Sequence, residues 1–231
     1  MAVADDDNHY DDMTQKLEFD SIEVSFDRCS ILKSIYMASE TGKITGLLGR
    51  NGSGKSTLLK IVFGSMPFEK KSVRINGDCL GLHYLAQRRI AYLPQSNLIP
   101  SYLSIRTAIA LFDVDPDAII SVFPEVADLI HLKPPQLSGG YLRLLEMLLI
   151  LESKADFCLL DEPFTGLTPV YIERIKEILL SARKTKGIII TDHMYRHVAE
   201  VSDNLYLLVN GQTYQIRDQE QLISFGYVTS L

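Results

Sequence analysis

Cysteine is scarce in this chain. There are three in 231 residues, at positions 29, 79 and 158, with no C-x-x-C pair. An odd, unpaired set argues against a disulfide framework or a zinc site. Cys158 stands inside an apolar run and reads as a small core residue. Long hydrophobic stretches are missing too. The richest, Leu144 to Leu151, is broken by Glu146 and falls far short of the ~20 residues that span a bilayer. The opening Met1-Ala2-Val3-Ala4-Asp5-Asp6-Asp7 lacks the apolar core of a secretory signal, so the expected location is cytoplasmic. A basic excess is also absent. The net charge is −6, and residues 1–12 hold five aspartates and neither Lys nor Arg, so the remainder carries −1. A near-neutral body without a basic stripe disfavours nucleic acid as a partner. The acidic N-terminal tail, taken as residues 1–16, reads as a solvated arm, with Met13 as an alternative start. His9 among its aspartates has no ligand spacing for a metal.

What is present is an ordinary globular composition, 46% apolar and 23% charged. The length suits one large domain over 17–231, or one domain with an inserted lobe. Its centre is Gly49-Arg50-Asn51-Gly52-Ser53-Gly54-Lys55-Ser56, which fits the phosphate-loop pattern G-x-x-x-x-G-K-[ST] without mismatch. Ahead of it, residues 43–48 are short and apolar, as a buried parallel strand is. Behind it, Lys55 to Phe63 places apolar residues in helical rows, with Gly64 at the expected C-terminus. Glycines 49, 52 and 54 let the backbone approach a polyphosphate closely, and several N–H groups with the positive helix end face the anion. Lys55 adds a positive charge for the β- and γ-phosphates, and the Ser56 hydroxyl is placed to ligate Mg²⁺.

Other segments deliver polar groups from strand ends. Leu17 to Phe26 alternates as an N-terminal antiparallel strand does, and Phe26 is either a strand-end core aromatic or a platform for a flat ring. Val73-Arg74-Ile75 runs into the tight turn Asn76-Gly77. Ile90 to Leu93 is a short buried strand that leads through Pro94 to Gln95, at the sheet edge where open α/β sheets bind ligands. Residues 96–136 are helical and proline-punctuated (Ile105 to Phe112, Pro116 to Phe123, Pro124 to His131), which predicts a helical lobe inserted over about 96–140, with aromatics and aliphatics available as a docking face. Ser138-Gly139-Gly140 caps a helix from Leu142 to Leu151, a second helix start able to meet an anion, with Arg143 and Glu146 as polar breaks. Phe157 to Leu160 ends in Asp161-Glu162. Two carboxylates at a buried strand end suggest a metal or a proton to manage, Asp161 for the metal and Glu162 as a general base for water. Gly187 to Thr191 is a third buried strand and delivers His193 to the same edge, for a γ-phosphate contact. Leu205 to Val209, Asn210-Gly211 and Gln212 to Ile216 read as a hairpin.

From about Leu17 onward the chain resembles the nucleotide-binding domain of the ABC ATPases. The resemblance rests on GRNGSGKST, Gln95, LSGG at 137–140, LLDEP at 159–163 and TDH at 191–193, with Ser138 preceding Asp161 by 23 residues. It implies a phosphate-loop α/β core with a mainly parallel sheet, an N-terminal antiparallel β subdomain and the helical lobe. It implies ATP, bound by the loop from Gly49 to Thr57, with Mg²⁺ held by Ser56, Gln95 and Asp161. By the same resemblance Phe26 stacks on adenine, Gln95 senses Mg²⁺ and water, Glu162 is the catalytic base, and His193 is the γ-phosphate switch. Ser138, Gly139 and Gly140 would contact the γ-phosphate held by a partner subunit. Two copies, or one copy and a related ATPase, would then close head to tail on two ATP molecules. An integral membrane transporter subunit docked near Gln95 and the helical lobe would convert closing and opening into transport, with this chain peripheral on the cytoplasmic face. The competing reading is a non-transport ATP-dependent regulatory module.

Two departures stand out: Tyr141 where the family usually continues LSGGQ, and Thr168 where the loop after the catalytic glutamate usually ends in aspartate. Both positions belong to the family's dimer contact. DEPF-x-G and TDHMYRH look most like the branch that powers lipopolysaccharide export and its importer relatives, although the helical lobe is short for it.

Overall fold

The computed structural model describes residues 14–26, 29–81 and 88–229, the side chains of Phe26 and Cys29 excepted. In chain order the elements are β1 (Lys16–Phe26), β2 (Cys29–Leu32), β3 (Tyr36–Glu40), β4 (Ile44–Leu48), α1 (Lys55–Phe63), β5 (Lys70–Ile75), β6 (Asp78–Cys79) and β7 (Ile90–Leu93). Three short helices follow, α2 (Ile105–Leu111), α3 (Pro116–Val122) and α4 (Val126–Leu129), and then α5 (Gly139–Leu151). The chain continues through β8 (Phe157–Asp161), α6 (Pro169–Ala182), β9 (Gly187–Thr191), α7 (Tyr195–Val201), β10 (Asn204–Val209), β11 (Gln212–Ile216) and α8 (Glu220–Ser224).

Two sheets result. The six-stranded one runs β11-β10-β4-β9-β8-β7. All its pairings are parallel except β10 with β11. The other is antiparallel and runs β2-β1-β5-β6, with β3 also on β1. In the parallel sheet every residue of β4, β8 and β9 is buried, because packing covers both faces. Leu47, Leu159 and Ile189 point to one face, toward α1 and the antiparallel sheet. Leu48, Leu160 and Ile190 point to the other, toward α5 and α6. Parallel register brings the strand ends to one rim. Leu93 pairs with Leu160 and Asp161 with Thr191, while Gly46 pairs with Ile190.

Some expectations shift at their edges. Residues 1–13 of the acidic tail lie outside the described residues. Gln15 and Lys16 are not tail: Lys16 opens β1, and Gln15 exchanges hydrogen bonds with Thr41, donating at 2.8 Å and accepting at 2.9 Å. The third helical segment shrinks to the single turn of α4, since Phe123 turns inward as a fully buried anchor just before Pro124.

Candidate functional site

The phosphate loop joins the end of β4 to α1. Gly54 takes the N-cap position with φ 104°, a conformation that L side chains rarely adopt. Lys55 is buried and its Nζ donates to the carbonyls of Gly49 and Arg50 at 2.7 and 3.2 Å. Burial lowers its pKa, while Glu162, Asp161 and Asp192 oppose that shift. A cleft of about 400 Å³ opens over the loop, lined by Asn51, Gly52, Gly54, Lys55, Ser56 and Thr57 on one side and Gln95 with Glu162 on the other.

Behind the cleft the strand-end side chains form two bonded sets, one on Asp161 and one on Glu162. Ser56 Oγ donates to Asp161 Oδ1 at 3.0 Å, and the Tyr92 hydroxyl donates to Asp161 Oδ2 at 3.0 Å. Asp161 is fully buried, and that burial raises its pKa. Gln95 Nε2 donates to Glu162 Oε2 at 2.8 Å, and Thr165 Oγ1 donates to the same oxygen at 3.1 Å. Glu162 has φ 52°, a left-handed backbone that costs a non-glycine residue on the order of 1–3 kcal/mol. His193 Nδ1 stands 3.7 Å from Glu162 Oε2 and 3.3 Å from Asp192 Oδ1. Asp192 is buried and accepts the N–H groups of Phe164 and Met194, each at 2.9 Å, which pins the chain after Glu162 to the start of α7.

Lys55, Ser56, Gln95, Asp161, Glu162 and His193 therefore meet at one rim. Of these, Lys55, Ser56, Gln95 and Glu162 line the cleft, with Asp161 and His193 beside them, and other expected residues stand apart from it in the single chain. Arg50 turns away and its Nη2 donates to Gly226 O at 2.8 Å. The Ser53 hydroxyl is buried without a hydrogen-bond partner. Ser138 caps α5, accepting from Tyr141 N at 3.3 Å, and neither it nor Gly139 or Gly140 lines the cleft. The backbone of Phe26 pairs with Cys29 at the end of β1, and its side chain lies outside those described. Among the described residues no group of three or more His, Cys, Asp or Glu side chains converges as a metal cage. One hydroxyl beside one buried carboxylate instead suits Mg²⁺ shared with phosphates, which such sites complete.

Comparison with known proteins decides the family. Residues 32–165 match the family model described as ABC transporter. The chain is 33% identical to the probable branched-chain amino acid transport ATP-binding protein LivF of Archaeoglobus fulgidus, covering 83% of this chain and 87% of that one. It is 29% identical to the lipopolysaccharide export system ATP-binding protein LptB of Haemophilus influenzae, covering 90% and 92%. The chain belongs to the ABC transporter ATPases. Its fold agrees with a nucleotide-free ATP-binding cassette from an ABC transporter, at a TM-score of 0.79 over 93% of this chain and 96% of the other, with 20% identity.

As an ABC transporter ATPase the chain binds and hydrolyses ATP as its reaction. Its departure at Tyr141 now has a structural content. The ring stacks on Phe123 with centroids 5.1 Å apart and meets Tyr171 edge-on at 5.7 Å. Arg174 lies 4.5 Å over the Phe123 ring and forms a two-pronged pair with Glu125 at 3.0 and 3.1 Å. Tyr141 thus ties α5 to α6 and to the short helices. The sequence reading gave no role at the site to Tyr92, Thr165, Asp192, Arg143 or Glu146, all of which bond to its strand ends and loops. Tyr92 was visible only as an aromatic in a buried strand. Arg143 and Glu146 were visible as polar breaks in an apolar helix.

Proposed function

We propose that two copies of this ATPase close head to tail on two Mg²⁺-ATP molecules and drive a membrane-embedded transporter subunit. The observation that carries the reading is the two bonded pairs Ser56–Asp161 and Gln95–Glu162 on the rim beside Lys55. The loop from Gly49 to Thr57 wraps the phosphates, with Lys55 as the cation for the β- and γ-groups. Phe26 offers the adenine platform. Ser56, Gln95 and Asp161 would hold Mg²⁺, which supplies charge neutralisation on the phosphate oxygens. Glu162 accepts a proton from the attacking water, oriented by the bonds from Gln95 and Thr165. His193 donates to the γ-phosphate. Ser138, Gly139 and Gly140 of one copy present a helix N-terminus to the γ-phosphate bound by the other, so the nucleotide joins the pair and hydrolysis loosens it.

The transporter subunit docks in an apolar groove of about 520 Å³ on the sheet's β7 edge, lined among others by Phe63, Tyr92, Pro94, Leu98, Leu111 and Phe112. The groove begins one residue from Gln95, so a helix seated there touches the loop that carries it. No helix among the described residues is long and apolar enough to cross a membrane, and the membrane location comes from this docking. Glu162→Gln, which keeps the shape and removes the base, should convert the chain to a dimer on size-exclusion chromatography with Mg²⁺-ATP and leave it monomeric without nucleotide. A Glu162→Gln chain that stays monomeric at saturating Mg²⁺-ATP would exclude the head-to-tail pair.

A further inference from the structure

Arg143 and Glu146 lie one turn apart on α5, both withdrawn from solvent, Glu146 completely. Arg143 Nη1 donates to Pro94 O at 2.7 Å, and its Nη2 donates to Asp161 O at 2.7 Å and Glu162 O at 3.2 Å. Glu146 Oε1 accepts from Leu98 N at 2.7 Å and from Ile99 N at 3.0 Å. The two charges stand 3.7 Å apart, from Arg143 Nη1 to Glu146 Oε2. One helix thereby grips the 94–99 loop at both ends, and also the backbone on either side of the left-handed Glu162. Between those grips sits Gln95, bonded to the Glu162 carboxylate.

We propose that Arg143 is a positioning residue for hydrolysis. It holds the Glu162 turn and the Gln95 loop in fixed register with α5, the helix that begins at Ser138-Gly139-Gly140. A buried ion pair is weak evidence for stability in itself, since apolar residues of similar volume often serve as well. What apolar residues cannot do is supply forked donors to three carbonyls on two different strand ends. Leu98, whose N–H Glu146 holds, also lines the apolar groove. A displacement of that groove wall therefore reaches the Glu162 carboxylate through Glu146, Arg143 and the two carbonyls it binds. Misplacing the base affects the chemical step, and nucleotide affinity, set by the phosphate loop, is left alone.

The inference rests on Glu162 as the base, and the test separates the two. In the full chain, Glu146→Gln alone keeps an oxygen for the Leu98 and Ile99 N–H groups and keeps Arg143 in place. Adding Arg143→Met removes the grip on the carbonyls without leaving an unpaired charge. Relative to Glu146→Gln, the double variant should lose about tenfold to a hundredfold in kcat while KM for ATP stays within about twofold. Arg143→Lys in the Glu146→Gln background should recover part of the loss. Equal kcat in the single and double variants would overturn the proposal, as would a rise in KM parallel to the fall in kcat. If the double variant does not fold, Arg143→Lys in the native chain decides: a smaller loss confined to kcat supports the proposal and native kcat refutes it. A Glu162→Gln chain that hydrolyses ATP at the native rate would refute the base itself, and the proposal with it.

Discussion

Glu146 has no exposed surface, and burial raises its carboxyl pKa against the opposing pull of the Ile99 and Leu98 N–H groups and of Arg143. A carboxyl whose folded pKa lies above its unfolded value contributes full stability below the unfolded value and loses it as pH rises through the folded one. The native chain should therefore lose ground to Glu146→Gln as pH climbs from the ordinary glutamate range, about 4.3, toward neutrality. Thermal melts of both chains across that window measure it. A melting-temperature difference that stays constant with pH would show that folding leaves the Glu146 pKa unchanged. Asp161 and Asp192 are raised by burial in the same sense, so the nucleotide rim as a whole is a place where folding confines carboxylates that a cation would stabilise. Cys158, pushed up to about 12 by burial, is an inert core thiol, as its apolar run suggested.

Among the elements, β4 and α7 approach so closely that residue 46 has no room for a side chain. A Cβ on Gly46 would meet Ser202 Oγ at 2.6 Å and both Leu205 Cδ2 and Val198 Cγ1 at 2.7 Å. Gly46→Ala should cost about 1–3 kcal/mol in urea unfolding, the usual scale of overpacking a core. An unchanged midpoint would mean that α7 slides freely on the sheet. The strands around that contact were legible in the sequence because burial on both faces makes β4, β8 and β9 short, largely apolar runs, and Asn210-Gly211 marks the β10–β11 hairpin. Helix α7 was not, since only Val198 and Val201 of its seven residues are buried and two apolar positions give no period. Helix α6 escaped because the apolar row of Ile172, Ile175 and Leu179 is interrupted by Lys176, which is itself buried with its ammonium on Glu173 and Glu200 at 2.8 and 2.6 Å. The site shows the same division. Lys55, Asp161, Glu162 and His193 announce themselves in contiguous motifs at strand ends. Arg143 and Glu146 act on Pro94, Leu98 and Ile99, more than forty residues upstream, and no local pattern joins them.

At the scale of the whole molecule, the nucleotide cleft and the apolar groove lie on either side of the loop that carries Gln95. Leu111 is 64% exposed at the groove wall, whereas Tyr102 is 72% exposed and lies outside the groove. A charge at 111 meets water in the free chain, so Leu111→Glu should move its melting temperature little, within the range of ordinary surface substitutions. If a helix of the transporter subunit fills the groove as proposed, the same carboxylate is desolvated without a partner, a loss that outweighs any single apolar contact removed. Binding of Leu111→Glu to membrane subunits held in lipid discs should weaken by about tenfold or more, equivalent to roughly 1.4 kcal/mol. Tyr102→Ala, which removes a larger exposed apolar surface nearby, should leave that affinity within about threefold, a few tenths of a kcal/mol. Equal losses in the two variants would place the partner on the broad outer face of the short helices. Loss in Leu111→Glu alone would put it in the groove, where Leu98, Glu146 and Arg143 connect it to the catalytic rim.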